Sequence, residues 1–356
     1  MDTIDVGVIG TGWCGGIRAR TAAASPLVGG LHLAEVDTAR LEDMAKATRA
    51  VTATTDYREL LAADRIDALM VSATPETTHY PITKEALEAG KHVLLEKPIA
   101  LTLDEADELV ALAEQNRLKF TIGYSQRFNA KQALVKRSLE DGTLGEPVSA
   151  LVSRHITRKL GDKIAGRIVL SPAAMEATHD IDFLLWCMAP ARPVRVYAQA
   201  ALGVMKEKYG TSDTMSILIT LDNGVVLTVG AGWTLPPGYP NFSSTWMEIV
   251  GTEGALLLDD SHRDIILNTM GDGMRLPLST MPGEEVGHVY AGPMERETTY
   301  FLEAVAWDRE VLVRPDEARR VMEVYLAADL SAAGNQPVEL PLNREDAGVA
   351  HATGSD

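Results

Sequence analysis

The stretch Val6-Gly7-Val8-Ile9-Gly10-Thr11-Gly12-Trp13-Cys14-Gly15 decides the fold. Val6 to Ile9 is a short apolar run. The pattern G-x-G-x-x-G follows at once, and a helical stretch from Ile17 to Ala24 comes next. Strand, glycine loop, helix is the order of a dinucleotide-binding turn. Gly10 supplies the tight turn, Gly12 lets the backbone approach a pyrophosphate, and Gly15 lets the helix pack on the strand. Trp13 and Cys14 occupy the variable positions and contribute backbone amides. The anion rests on the helix N-terminus, where free N–H groups and the helix dipole favour negative charge.

Outward from this loop, apolar runs at 31–36, 67–72, 92–95 and 118–122 read as buried parallel strands, with a short sixth at 51–53. Helical segments separate them: 38–47, 56–61, 78–89 and 104–116, the last opened by the capping box Thr102-x-x-Glu105. Residues 1–123 are therefore expected to form a doubly wound α/β domain, a Rossmann fold. Glu96-Lys97-Pro98 closes the 92–95 strand. It puts a lysine at the carboxyl end of a strand, where such sheets place their chemistry.

The pattern changes after Gly123. A helix at 127–139 is followed by strand-like runs at 148–156, 194–202, 214–221, 225–232, 244–250, 255–258 and 264–268. Leu221-Asp222-Asn223-Gly224-Val225 is a hairpin signal. Residues 124–342 are expected to form an α+β domain with a large, mainly antiparallel open sheet, carrying helices at 173–188, 295–307 and 316–333. The polar tail 343–356 is expected to be disordered.

The 356-residue chain carries a formal net charge of -17, which argues against nucleic acid or an anionic membrane as partner. No apolar run is long enough for a membrane helix, and Met1 to Asp5 has no basic leader. Two cysteines, Cys14 and Cys187, are too few for a disulfide framework or a cysteine zinc site, so no metal is expected. A cytoplasmic location fits these features.

These motifs resemble the glucose–fructose oxidoreductase and inositol dehydrogenase family, often written Gfo/Idh/MocA. The resemblance covers nearly the whole chain. It rests on the glycine loop, on Thr74-Pro75 with His79, on Gly90-Lys91-His92-Val93 with Glu96-Lys97-Pro98, and on Gly123-Tyr124 with Arg127-Phe128. Further on it adds Gly142-Thr143-Leu144-Gly145 and His179-Asp180-Ile181-Asp182. It implies a nicotinamide cofactor and a secondary alcohol or ketone as substrate, on a sugar, cyclitol or dihydrodiol. It implies proton handling by Lys97 and His179, cofactor contacts from Thr74, His79, Glu96 and Lys97, and a homodimer or homotetramer. Some relatives are glycosidases that oxidise a sugar transiently and then eliminate, a reading in which Tyr124 can take a proton. A sensor with a vestigial fold is disfavoured, because Lys97 and His179 are both present.

Each residue has an ordinary reading beside the functional one. Lys97 can be a solvated strand end, and Glu96 can orient Lys97 or cap a backbone group. His179 can be a satisfied core histidine. Asp182, three residues on, shares its face and can fix its tautomer or bind a substrate hydroxyl. Many members of the family carry an aspartate four residues before this histidine; Met175 stands there, with Glu176 next to it. Either Glu176 substitutes, or the acid is absent. Glu35 and Asp37 end the second strand and favour NAD over NADP through the adenosine ribose, although Arg40 is near. The stretch 151–170 holds Arg154, Arg158, Lys159, Lys163 and Arg167 against one acid, Asp162. It is either a solvated face or subunit contact, or a pocket in which Arg154, Arg158, Lys163 and Arg167 bind an anionic substrate group. Trp233, Tyr239, Trp246, His262, His288 and Tyr290 can line the substrate side or simply pack.

Overall fold

The computed structural model describes residues 3–239, 243–261, 267–271, 273–275, 284–287 and 289–343. The chain folds as two compact units, Met1–Asn129 with Thr280–Arg319, and Ala130–Ser279 with Arg320–Asp356. His262, His288 and the tail from 344 lie outside the described residues.

In the first unit, strands and helices alternate: β1 (Ile4–Ile9), α1 (Trp13–Ala24), β2 (Val28–Ala34), α2 (Thr38–Thr48), β3 (Thr52–Thr54), α3 (Arg58–Leu61), β4 (Ala68–Val71), α4 (His79–Glu88), β5 (His92–Leu95), α5 (Leu103–Gln115) and β6 (Phe120–Ile122). The six strands form one parallel sheet in the order β3-β2-β1-β4-β5-β6. Strand order reverses between β1 and β4, and ligands of such sheets bind outside the carboxyl ends at that point. Val6, Val8, Leu33, Ala68, Met70 and Leu94 are buried on the sheet, and Ala19 and Ala22 of α1 pack on them. Phe301 and Leu302 belong to the same core. The helix Pro293–Ala306 thus packs with the first unit, although its sequence follows the second sheet.

Local chemistry moved several expected boundaries. Strand β2 ends at Ala34 rather than 36, because the Glu35 carboxylate turns back to the glycine loop. Helix α1 starts at Trp13, directly on that loop. Helix α3 starts at Arg58, whose N–H donates to Asp56 Oδ1 at 3.0 Å. The expected helix from 127 is a short 3₁₀ turn, Ser125–Phe128, and then α6 (Ala130–Glu140).

The second unit is built from α6, β7 (Pro147–Thr157), α7 (Arg158–Ala165), α8 (Thr178–Met188), β8 (Pro193–Ala201), α9 (Val204–Tyr209), β9 (Thr214–Leu221), β10 (Val226–Leu235), β11 (Ser243–Gly251) and β12 (Ala255–Asp259). Its sheet runs β12-β11-β7-β10-β9-β8 and ends on the short strand Val338–Glu339. Every pairing is antiparallel except β10 with β7. Two of its helices were not foreseen: α7, inside the basic stretch, and α9. Of the expected strand at 264–268, only Leu267–Thr269 is described.

The glycine loop tests the packing argument. An added Cβ at Gly15 would lie 1.8 Å from the Gly10 carbonyl oxygen, whereas one at Gly12 meets nothing within 4 Å. Gly15→Ala should therefore destabilise the fold by more than about 3 kcal/mol, as backbone overlap does. Gly12→Ala should keep the native Tm but weaken NAD binding about tenfold or more, because its methyl points into the open ligand side. Thermal melts and NADH fluorescence titration check both; equal effects at the two positions would contradict the assignment.

Candidate functional site

Three loops leave the carboxyl ends of β1, β4 and β5, and each is pinned. Gly10 turns with φ +83°, which only glycine adopts readily. Its N–H donates to Ala34 O at 2.8 Å. The N-terminus of α1 has no side-chain cap and no acidic residue in its first turn, so it presents unblocked positive polarity. Trp13, at 57% exposure, stands out beside it. Cys14 has its thiol pushed up to about 12, first by burial and then by the Glu96 carboxylate.

Glu35 is buried at the end of β2. It accepts from Thr11 N–H at 2.7 Å, Thr11 Oγ1 at 3.1 Å, Asp37 N–H at 3.1 Å and Arg40 Nη1 at 3.3 Å. Desolvation pushes its carboxyl up, but these donors outweigh that and hold it below its ordinary value. Three of the four converge on Oε2, which leaves Oε1 capacity for a further donor such as a ribose hydroxyl. Asp37 Oδ1 accepts from Arg40 N–H at 3.0 Å and caps α2.

Thr74 is exposed on the loop after β4, in a cis Thr74–Pro75 peptide, and Lys97–Pro98 is cis as well. His79 lies beneath both loops. Its Nδ1 contacts Pro98 O at 2.8 Å and its Nε2 faces Ala73 O at 3.2 Å. A neutral imidazole has one N–H, and the shorter contact assigns it to Nδ1. His79 is 1% exposed with both nitrogens engaged. It bridges the two loops from beneath. Glu96 has a partner that the sequence reading did not name: its Oε1 accepts from Arg18 Nε at 3.1 Å and Nη2 at 2.6 Å. Lys97 is partly exposed between these anchored neighbours. Tyr124 is buried just beyond β6.

In the second unit, every residue from Pro172 to Leu185 is buried except His179, which alone reaches the surface. Asp182 is fully buried on the same helix, α8. The expected single helix at 173–188 begins instead with a π-turn, Ala173–Ala177. A π-turn spends one more residue per turn, so it re-aims the side chains before His179. Met175 joins the apolar cluster of Ile156, Ala165, Met205 and Trp233. Glu176 is buried, and Trp233 Nε1 donates to its Oε1 at 3.3 Å. An acid is thus held in this turn, one position later than the family pattern.

The basic stretch does not form one pocket of free cations. Arg154 is buried and binds Asp180 bidentately, Nε to Oδ2 at 2.6 Å and Nη2 to Oδ1 at 2.7 Å. Burial opposes the Arg154 cation, and Asp180 outweighs it and keeps it protonated. Lys163 and Arg167 are exposed. On α7, Leu160 and Ile164 face the apolar cluster, and Gly161 packs on Trp233, where an added Cβ would lie 2.7 Å from Trp233 Cβ. Arg158 is partly buried, and its Nε is enclosed without a hydrogen-bond partner. Trp246 stands on the open face of the sheet, paired with Ser153 and Asp259, not with the His179 helix. Among the described residues no group of three or more His, Cys, Asp or Glu is gathered to hold a metal ion.

Comparison with known proteins agrees with this geometry. Residues 4–124 match the Gfo/Idh/MocA model described as an oxidoreductase family NAD-binding Rossmann fold. Residues 133–257 match the Gfo/Idh/MocA C-terminal domain. The chain belongs to this family of NAD-binding oxidoreductases. YrbE, an oxidoreductase of Bacillus subtilis, is 25% identical over 342 residues, covering 95% of this chain and 96% of its own. The scyllo-inositol 2-dehydrogenase (NAD(+)) of the same organism is 26% identical over 299 residues, 83% of each chain. Among solved structures, scyllo-inositol dehydrogenase from Lactobacillus casei with bound NAD(H) and scyllo-inositol has a TM-score of 0.81 at 20% identity. It covers 95% of this chain and 99% of its own.

His79 gives the site a pH signature. Burial lowers its pKa below the ordinary 6.5, while hydrogen bonds to Pro98 and Ala73 oppose the shift. In the unfolded chain the ring gains a proton near 6.5, so the unfolded state binds more protons below that pH. Stability should be fully present above pH 6.5 and fall as pH drops through it toward the folded pKa. Urea midpoints measured from pH 7.5 to 5.5 should decline in the native protein and less steeply in His79→Gln. Identical slopes in the two would exclude this role.

Proposed function

We propose that this chain is an NAD-dependent dehydrogenase acting on a secondary alcohol of a cyclitol or sugar. The observation that carries the reading is Lys97, partly exposed at the carboxyl end of β5, with the residue on either side anchored by side-chain contacts. The unblocked α1 N-terminus, the open side of Gly12 and the residual acceptor capacity of Glu35 fit NAD. When bound, the nicotinamide supplies the hydride acceptor or donor. Lys97 takes or returns the hydroxyl proton as general base or acid. His179, a partly exposed imidazole of the second unit, orients a hydroxyl, with Asp182 buried on the same helix and Glu176 held in the π-turn before it. The inositol dehydrogenases among the relatives support a cyclitol or sugar as the substrate class.

Arg158 supports a substrate bearing an anionic group, because its enclosed Nε has no partner. The same residues fit a glycosidase acting by transient oxidation and elimination, with Tyr124 as a further proton acceptor. We also propose a homodimer or homotetramer formed through the open sheet face. Leu257, Glu248, Leu151, Thr228, Leu218 and Tyr197 line up across that face, and three of them are exposed leucines. Two free thiols, Cys14 and Cys187, suit a reducing, cytoplasmic location.

A panel of cyclitols, acidic sugars and aryl glycosides with NAD tests the reaction. Net NADH without aglycone supports the dehydrogenase, and aglycone without net NADH supports the glycosidase. With the active substrate, Lys97→Ala should lower kcat by about two to four orders of magnitude, as expected for a lost acid–base group. Near-native kcat at every pH would remove Lys97 from the mechanism.

A further inference from the structure

We infer that Arg18 is a positioning residue for Lys97 and couples the glycine-loop helix to the Glu96-Lys97-Pro98 loop. The inference rests on the reading of Lys97 as the proton-handling residue. Arg18 lies on α1, one turn beyond Gly15, and is completely buried. Its Nε and Nη2 donate to Glu96 Oε1 at 3.1 and 2.6 Å. The same Nη2 donates to Glu297 Oε2 at 2.8 Å, and Nη1 donates to Thr298 Oγ1 at 3.3 Å. Thr298 Oγ1 in turn donates to Met294 O at 2.7 Å, within the helix Pro293–Ala306. One guanidinium thus joins the helix under the cofactor's anion seat, the lysine loop and a helix nearly 280 residues away in sequence.

The arrangement is built rather than incidental. Glu297 is 2% exposed and Glu96 15%. Two enclosed carboxylates share one cation, so removing the cation leaves both uncompensated. The two carboxylates outweigh the cost of burying Arg18 and keep it charged. Gly123 closes over the group: an added Cβ would lie 3.0 Å from Glu96 Oε2 and 3.1 Å from Arg18 Nη2.

The consequence falls on the neighbouring lysine. Glu96 is fixed through its backbone, whose N–H donates to Val71 O at 2.9 Å, and through its carboxylate on Arg18. Pro98 is fixed through its carbonyl on His79. Lys97 lies between the two, so the direction in which its side chain leaves the loop depends on both anchors. A lysine cannot replace Arg18, because one ammonium lacks the planar fork that reaches Glu96, Glu297 and Thr298 together.

The test reads Lys97 directly in the NADH-bound protein, without a substrate. Trace acetic anhydride labels lysines in the native protein, Arg18→Lys and Arg18→Met, and mass spectrometry gives the rate at Lys97 relative to Lys91. Lys91 is a buried lysine whose ammonium donates to Ala63 O and Ile66 O, so it reports general loosening. The expected result is a change of at least about threefold in the Lys97 to Lys91 ratio in Arg18→Met, larger than in Arg18→Lys, since a lost buried partner is a strong local perturbation. With an active substrate, kcat should fall about 10- to 100-fold in Arg18→Met while NADH affinity changes less, as for a misplaced catalytic group. If Arg18→Met fails to fold, Arg18→Lys carries the same comparison. A Lys97 to Lys91 ratio equal to native in the folded variants would overturn the inference. If Lys97→Ala proves fully active, the catalytic reading fails instead, whatever the labelling shows.

Discussion

The first unit depends on a distance that admits no side chain. Helix α1 lies so close to the turn after β1 that the nearest Gly10 atom would be 1.8 Å from any Cβ on Gly15. That closeness points the helix N-terminus at the carboxyl ends of the central strands. The same closeness brings Arg18, one turn further along, to Glu96. The helix N-terminus proposed to seat the cofactor's anion and the lysine loop are therefore placed by one packing event rather than by two separate ones.

Charge is handled differently in the two units. The first unit encloses a cation with two carboxylates next to Lys97. The second encloses a matched pair, Arg154 with Asp180, on the strand and helix that precede and carry His179. Both are costly to bury and more costly to break. In each case the enclosed pair uses the residue next to one proposed to act on the substrate: Glu96 beside Lys97, and Asp180 beside His179. Fixing the neighbour fixes the backbone from which that side chain departs.

The parallel sheet was legible because its strands are buried on both faces and read as uninterrupted apolar runs, and because the glycine loop names its own turn. Lys97, His179 and Glu35 were legible as residue types at strand and helix positions. What lay hidden was the work of charged residues without a motif. Arg18 sits in a helix of ordinary pattern, and its partners, Glu96 and Glu297, are about 80 and 280 positions away. Arg154 looked like a ligand for an anion because its partner, Asp180, lay within a segment read for its histidine. The π-turn was equally invisible, since backbone register leaves no mark in composition. It explains how Glu176 is held by Trp233 although Met175 occupies the expected place. Nor did the sequence show that His79 bridges two loops through Pro98 O and Ala73 O.

The central claim is direct transfer of hydrogen from a carbinol carbon to the nicotinamide. The most direct measurement is a single turnover with NAD and a cyclitol or sugar substrate deuterated at the reacting carbon, followed by mass spectrometry of the reduced cofactor. The account predicts one deuterium at C4 of the nicotinamide in the native protein, and none in Lys97→Ala on the same timescale. Reduced cofactor without deuterium, or turnover of the substrate with no label ever passing through the nicotinamide, would contradict it.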